Sequence, residues 1–133
     1  MPSNLNRQLL ALTDALGRPK AELARERAHQ IDPAVHVIPL QNFVDAHNVD
    51  AILDQGVDCA IDAIDALTPK VHLLLALHES AVTFVSCMGA AAKLMPLAVR
   101  VADISETRYC PLARRIRQSL KRHSVFRGIR CVY

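Results

Sequence analysis

Apolar and polar positions follow two rhythms along this chain, one of about 3.6 residues and one of two, and the rhythms take turns. Residues 19–31 place Leu23, Ala24, Ala28 and Ile31 on one helical face, with Pro19 suited to the first turn and Asp32-Pro33 as the stop. Residues 35–40 then alternate as a short strand. After Asp45 a second helix is expected to Asp54, apolar at Val49, Ile52 and Leu53 and closed by Gly56. Residues 57–62 read as a buried strand with carboxylates at its end, and Thr68-Pro69 opens a helix burying Val71, Leu74, Leu75 and Leu77. Residues 81–86 form the next strand. Helices and strands in strict alternation imply right-handed crossovers, a parallel sheet and helices on its faces.

Beyond Met88 the pattern changes. Residues 89–92 are a turn of small residues, 97–101 alternate like a strand with one solvated face, and a helix is expected over 111–123. Residues 129–133 resemble a strand that has only begun.

Composition narrows this picture without redirecting it. The 133 residues are 51% apolar with no Trp, enough for one globular domain with a core. No apolar run approaches the roughly 18 residues needed to span a bilayer, and the N-terminus lacks a signal pattern, so a cytoplasmic location is expected, with no membrane partner. The net charge of +3 conceals an asymmetry: residues 1–99 carry seven Lys/Arg against eleven Asp/Glu, residues 100–133 nine against two. Four cysteines and six histidines show no zinc-ligand spacing. Cys59 and Cys87 read as small apolar side chains; Cys110, in a basic neighbourhood, is the best candidate for a reactive thiolate, set against the same structural reading.

Asp62 and Asp65 fall where a parallel strand meets its loop, the edge at which open α/β sheets place ligands. A carboxylate there can hold Mg²⁺ against nucleotide phosphates, or simply solvate a turn. Arg7 and Lys20 are cations able to neutralise phosphate. The helix over 111–123 sets Leu112, Ile116 and Leu120 on one side and Arg114, Arg115, Arg117, Lys121 and Arg122 over the other. That basic face is either a contact for RNA phosphates or a solvated surface; three apolar anchors are too few for a membrane helix.

Several runs together carry a family resemblance: Asn4-Leu5-Asn6-Arg7-Gln8, Gly17-Arg18-Pro19-Lys20-Ala21-Glu22, Ile31-Asp32-Pro33, Asp62-Ala63-Ile64-Asp65 followed by Lys70, and Cys110-Pro111-Leu112-Ala113-Arg114. The chain resembles the ThiF/MoeB/HesA superfamily of ubiquitin-activating-type adenylating enzymes, and most nearly its branch that dehydrates threonylcarbamoyladenosine in tRNA. The resemblance implies ATP and Mg²⁺ as cofactors, Asn4 and Arg7 near the ATP phosphates, Lys20 contacting phosphate, and Asp65 helping to hold Mg²⁺. Arg7 and Asp65 would then be the catalytic pair. It also implies a homodimer and a tRNA substrate bound through the basic helix, with no DNA partner.

The family's Gly-rich phosphate loop is not found in this sequence, and Ala66 stands where many relatives have Asn. The fold expected is therefore α/β, an incomplete Rossmann-like three-layer sheet of mostly parallel strands with an antiparallel C-terminal extension. It would form a single truncated domain with an α/β part at 1–88 and a basic extension at 89–133. The first expectation is a truncated family member whose parental activity is ATP-dependent adenylation and cyclisation of the modified adenosine, the chain alone being inactive. The alternative is a non-enzymatic dimeric module that binds RNA through its basic helix, with an apolar sheet edge covered by another chain.

Overall fold

A computed structural model describes residue 5 and residues 8–90 and 93–133. It divides into two compact units, Met1–Asn42 and Phe43–Tyr133. In the first, helix α1 (Lys20–Ile31) begins after extended Pro19 and ends where the Asp32 N–H bonds to the Ala28 carbonyl at 2.9 Å. Its surface is laced by Arg18–Glu26 and Arg25–Glu22 ion pairs, and Gln41 donates to Glu22 at 3.0 Å. No described residue of this unit is buried.

The strand expected at 35–40 does not form; the segment is irregular and partly or largely exposed. Alternation needs a partner to become a strand, and none lies beside it among the described residues. Pro39 also removes a donor from any ladder.

The second unit begins with α2 (Val49–Leu53), shorter than its apolar pattern suggested. Asp45 accepts the His47 and Asn48 N–H groups while Asn48 accepts that of Asp45, so side chains take over the backbone donors and helix starts only at Val49. Strand β1 (Cys59–Asp62), helix α3 (Leu67–Glu79) and strand β2 (Thr83–Cys87) follow as the pattern predicts. Residues 96–98 make a 3-10 turn where a strand was expected, and pairing begins at β3 (Val101–Asp103). Helix α4 (Pro111–Lys121) and strand β4 (Arg130–Val132) complete the unit.

The sheet order is β1-β2-β4-β3. β1 pairs parallel to β2 and β2 parallel to β4, while β3 runs antiparallel to β4. The last strand is thus an interior strand, and register aligns Asp62 with Ser86 and Ser86 with Cys131. β1 stands at one edge of this sheet, with Ile61 74% exposed.

One core holds these elements together: Val71 and Leu74 of α3, Ile116 and Leu120 of α4, and Ile104, Ile129 and Cys131. Each such aliphatic side chain contributes about 1.5–3 kcal/mol on burial. α4 buries Ala113, Ile116 and Leu120, one helical stripe, and ends in a Schellman turn. Ser124 there has φ 61°, and the Val125 N–H reaches the Leu120 carbonyl at 3.1 Å.

Asp103 ties β3 to the entry of β4. One carboxylate oxygen accepts the N–H groups of Gly128 and Ile129 at 2.7 and 3.1 Å, and the other accepts the N–H and hydroxyl of Ser105. Burial pushes this carboxyl up, but the hydrogen bonds from Ser105, Gly128 and Ile129 outweigh it and hold the group below its ordinary value.

Candidate functional site

At the C-terminal end of β1 the chain must turn from a parallel strand into α3, and three side chains govern that turn. Asp62, the last strand residue, is fully buried; so is Lys70, in the first helical turn after Pro69. The Lys70 ammonium lies 2.6 Å from Asp62 Oδ2, and the Ser86 hydroxyl donates to the same oxygen at 2.6 Å. Lys70 Nζ also donates to the Cys87 carbonyl at 2.9 Å. A single cation therefore joins the ends of β1 and β2 to the start of α3. Asp62 Oδ1 accepts the Ile64 N–H at 3.0 Å, which shapes the loop that follows.

Asp65 stands exposed in that loop, its carboxylate without a hydrogen-bond or ion-pair partner among the described residues. The two carboxylates that look equivalent in sequence thus have different fates. Asp62 is consumed by Lys70 and Ser86, and Asp65 is open to a ligand.

Lys20, the first residue of α1, is exposed and belongs to the first unit, whereas Asp65 belongs to the second. Asn4 and Arg7 lie outside the described residues.

On α4 and at its C-cap, Arg114, Arg115, Lys121 and Arg122 are exposed. Arg117 differs: its guanidinium donates to the carbonyls of Ile104 and Thr107 at 3.1 and 3.0 Å and to the Thr107 hydroxyl. It follows the buried Ile116 and so sits against the 3-10 turn at Ile104–Glu106 rather than facing outward. Its charge is spent on closing that turn, and it drops out of the set of outward cations. Cys110 takes the structural of its two readings. It is buried, and its Sγ accepts the Ala113 N–H at 3.5 Å as the cap of α4, which is a structural use and not that of a reactive thiolate. Cys59 and Cys87 are less enclosed than their apolar runs implied, exposed and half-buried respectively.

Residues 1–129 match the ThiF family. The chain belongs to that family. Among its relatives is the tRNA threonylcarbamoyladenosine dehydratase of Bacillus subtilis (strain 168), 34% identical over 98% of this chain and 52% of the relative. The crystal structure of E. coli tRNA N6-threonylcarbamoyladenosine dehydratase, TcdA, in complex with AMP superposes with a TM-score of 0.96. It is 34% identical, with all of this chain and 57% of that chain covered. The complex of the same E. coli enzyme with ATP gives a TM-score of 0.93 at 33% identity, covering 99% and 57%. The ThiF-family chain spans about half the length of the relatives it matches.

The α/β reading with a mostly parallel sheet and an antiparallel strand pair holds for this ThiF-family chain. No described helix is long and apolar enough to cross a membrane. The described residues include no group of three or more His, Cys, Asp or Glu able to enclose a metal. A single open carboxylate suits Mg²⁺, which takes one or two carboxylates and fills its octahedron with phosphate oxygens and water. Asp65 fits that mode, and Asp62, already neutralised, does not supply a second ligand. The residue whose role was not read from sequence is Lys70. A lysine in the first turn of a helix looks solvated, and its one signal was a strand-end carboxylate eight residues earlier.

Proposed function

We propose that this chain forms part of an ATP-dependent tRNA threonylcarbamoyladenosine dehydratase, with Asp65 assigned to the Mg²⁺ of the nucleotide and exposed cations of α4 to the RNA. The observation that carries this reading is the match of essentially the whole chain, at about a third identity, to a dehydratase solved with AMP and with ATP. Asp65 is the residue assigned to Mg²⁺, with its loop held by the buried Asp62–Lys70 pair. Mg²⁺ bound there would neutralise phosphate charge as the substrate's carboxylate is activated. Lys20, Arg7 and Asn4 are assigned to the phosphates by family resemblance alone. A homodimer is part of the proposal, since β1 is a sheet edge in this chain.

Calorimetry with Mg²⁺·ATP tests it. Saturable binding that falls at least tenfold in both Asp65→Ala and Lys20→Ala is expected. Failure of the unmodified chain to bind, or full binding by Asp65→Ala, overturns the nucleotide assignment. The second reading, an RNA-binding module without catalysis, draws on the outward cations of α4; it is favoured if tRNA binds while ATP does not.

A further inference from the structure

Tyr109 is the most conspicuous aromatic side chain of the molecule. It is 96% exposed and has φ 54°, a left-handed conformation that costs a non-glycine residue energy. It stands between two clefts. On one side is a cavity of about 650 Å³ whose lining includes Arg108, Arg114 and Arg115. On the other is a largely apolar cleft of about 710 Å³ at the ends of β2 and β4, lined in part by Met88, Val132 and Tyr133. Neither lining contains an acidic residue. Arg108, Arg114 and Arg115 make no ion pair or hydrogen bond among the described residues, in contrast to Arg117.

We propose that Tyr109 is a stacking platform for an unpaired RNA base, whose flanking phosphates are taken by Arg108, Arg114 and Arg115. This rests on the reading that the chain has an RNA partner, and deepens it by naming the kind of segment recognised. The chemistry follows from the juxtaposition. A base needs a flat, solvent-facing ring with an apolar surround, and its neighbouring phosphates need uncommitted guanidiniums within one nucleotide's reach. A duplex keeps its bases stacked on one another and offers only phosphate, so the aromatic ring selects single-stranded RNA. An acidic protein surface would use the cations equally well but would leave the ring without a stacking partner.

The chain has two Tyr and no Trp, so Tyr133→Phe leaves Tyr109 as the only strong emitter. Its fluorescence is followed on titration with a single-stranded 12-mer RNA, the matching RNA duplex and inorganic polyphosphate, across a salt series. Quenching by the single strand alone is expected. Tyr109→Ala should weaken single-strand affinity by about 5- to 150-fold with the salt slope unchanged, and Tyr109→Phe should retain it. Arg114→Gln/Arg115→Gln should instead flatten the slope by about 1.4. Tyr109→Gly relieves the left-handed strain, so its unfolding midpoint is expected to match or exceed that of the unmodified chain while affinity falls, which separates recognition from folding. Equal quenching by duplex or polyphosphate, or a neutral Tyr109→Ala, overturns the stacking role while leaving RNA binding in place. Absence of any RNA binding overturns both, whatever the outcome with ATP.

Discussion

Lys70→Met removes the one fully buried cation among the described residues of the second unit. Lys70 and Asp62 side chains are wholly enclosed, and methionine keeps most of the stem's length and volume without the ammonium. Two losses follow. Asp62 loses an ion-pair partner at 2.6 Å, keeping only the Ser86 hydroxyl and the Ile64 N–H; removing one member of a buried pair typically costs about 3–5 kcal/mol. The Cys87 carbonyl loses its donor, and an unsatisfied buried acceptor costs about 1–3 kcal/mol, part of which is already counted in the first figure. A total near 4 kcal/mol is a large fraction of the roughly 5–15 kcal/mol that holds an ordinary domain together. The double variant Asp62→Asn/Lys70→Met removes both charges and should be the more stable of the two, because an amide can still accept from Ile64 and no bare carboxylate remains. Urea unfolding followed by circular dichroism measures both. A cost below about 1 kcal/mol for Lys70→Met, or a double variant less stable than the single one, would refute the idea that the ammonium is there to neutralise Asp62.

Three further outcomes are expected. Because hydrogen bonds hold Asp103 below its ordinary value, its contribution is fully present above the unfolded carboxylate pKa of about 4 and is lost as pH falls through the lower folded value. Asp103→Asn should therefore lower stability at neutral pH and flatten the acid limb of a stability–pH profile; an unchanged acid limb contradicts this. Burial, aided by nearby Asp103, pushes the Cys131 thiol up to about 12, so alkylation at pH 8 should modify exposed Cys59 quickly and Cys131 only on unfolding, as peptide mapping would reveal. Gly128 has φ 95°, and a methyl group there would lie 2.8 Å from His78 Cε1. Gly128→Ala should cost about 1–3 kcal/mol, and Gly128→Ala/His78→Ala should recover the steric part but not the backbone part.

How far the sequence carries can be traced residue by residue. α1, α3, α4, β1 and β2 follow from periodicity, because each puts a continuous apolar stripe or a short apolar run against turn residues. Residues 35–40 show the limit of alternation, which describes a strand's faces but supplies no neighbour. The same limit hid the place of β4 and not its existence: residues 129–133 read as the start of a strand, yet β4 lies between β2 and β3, partners that are distant in sequence. At the candidate site, Asp62 and Asp65 were both visible as strand-end carboxylates. Which one is free depends on Lys70 and Ser86, brought in from α3 and β2. Arg117 was counted with its neighbours on the basic helix because helical angle alone cannot say that a 3-10 turn at 104–106 supplies carbonyls beside it.

The lack of buried side chains among the described residues of the first unit has a consequence for anyone reading variants of this protein. Stability variants cluster where packing is dense, so a damaging change in residues 43–133 is ambiguous between a broken fold and a broken site. In residues 8–42 that ambiguity largely disappears. Lys20 is exposed at the head of a helix with no fully buried residue, and a substitution there has little packing to disturb. If it abolishes activity, the loss reports on chemistry, which makes this weakly packed stretch the most interpretable part of the molecule for genetics.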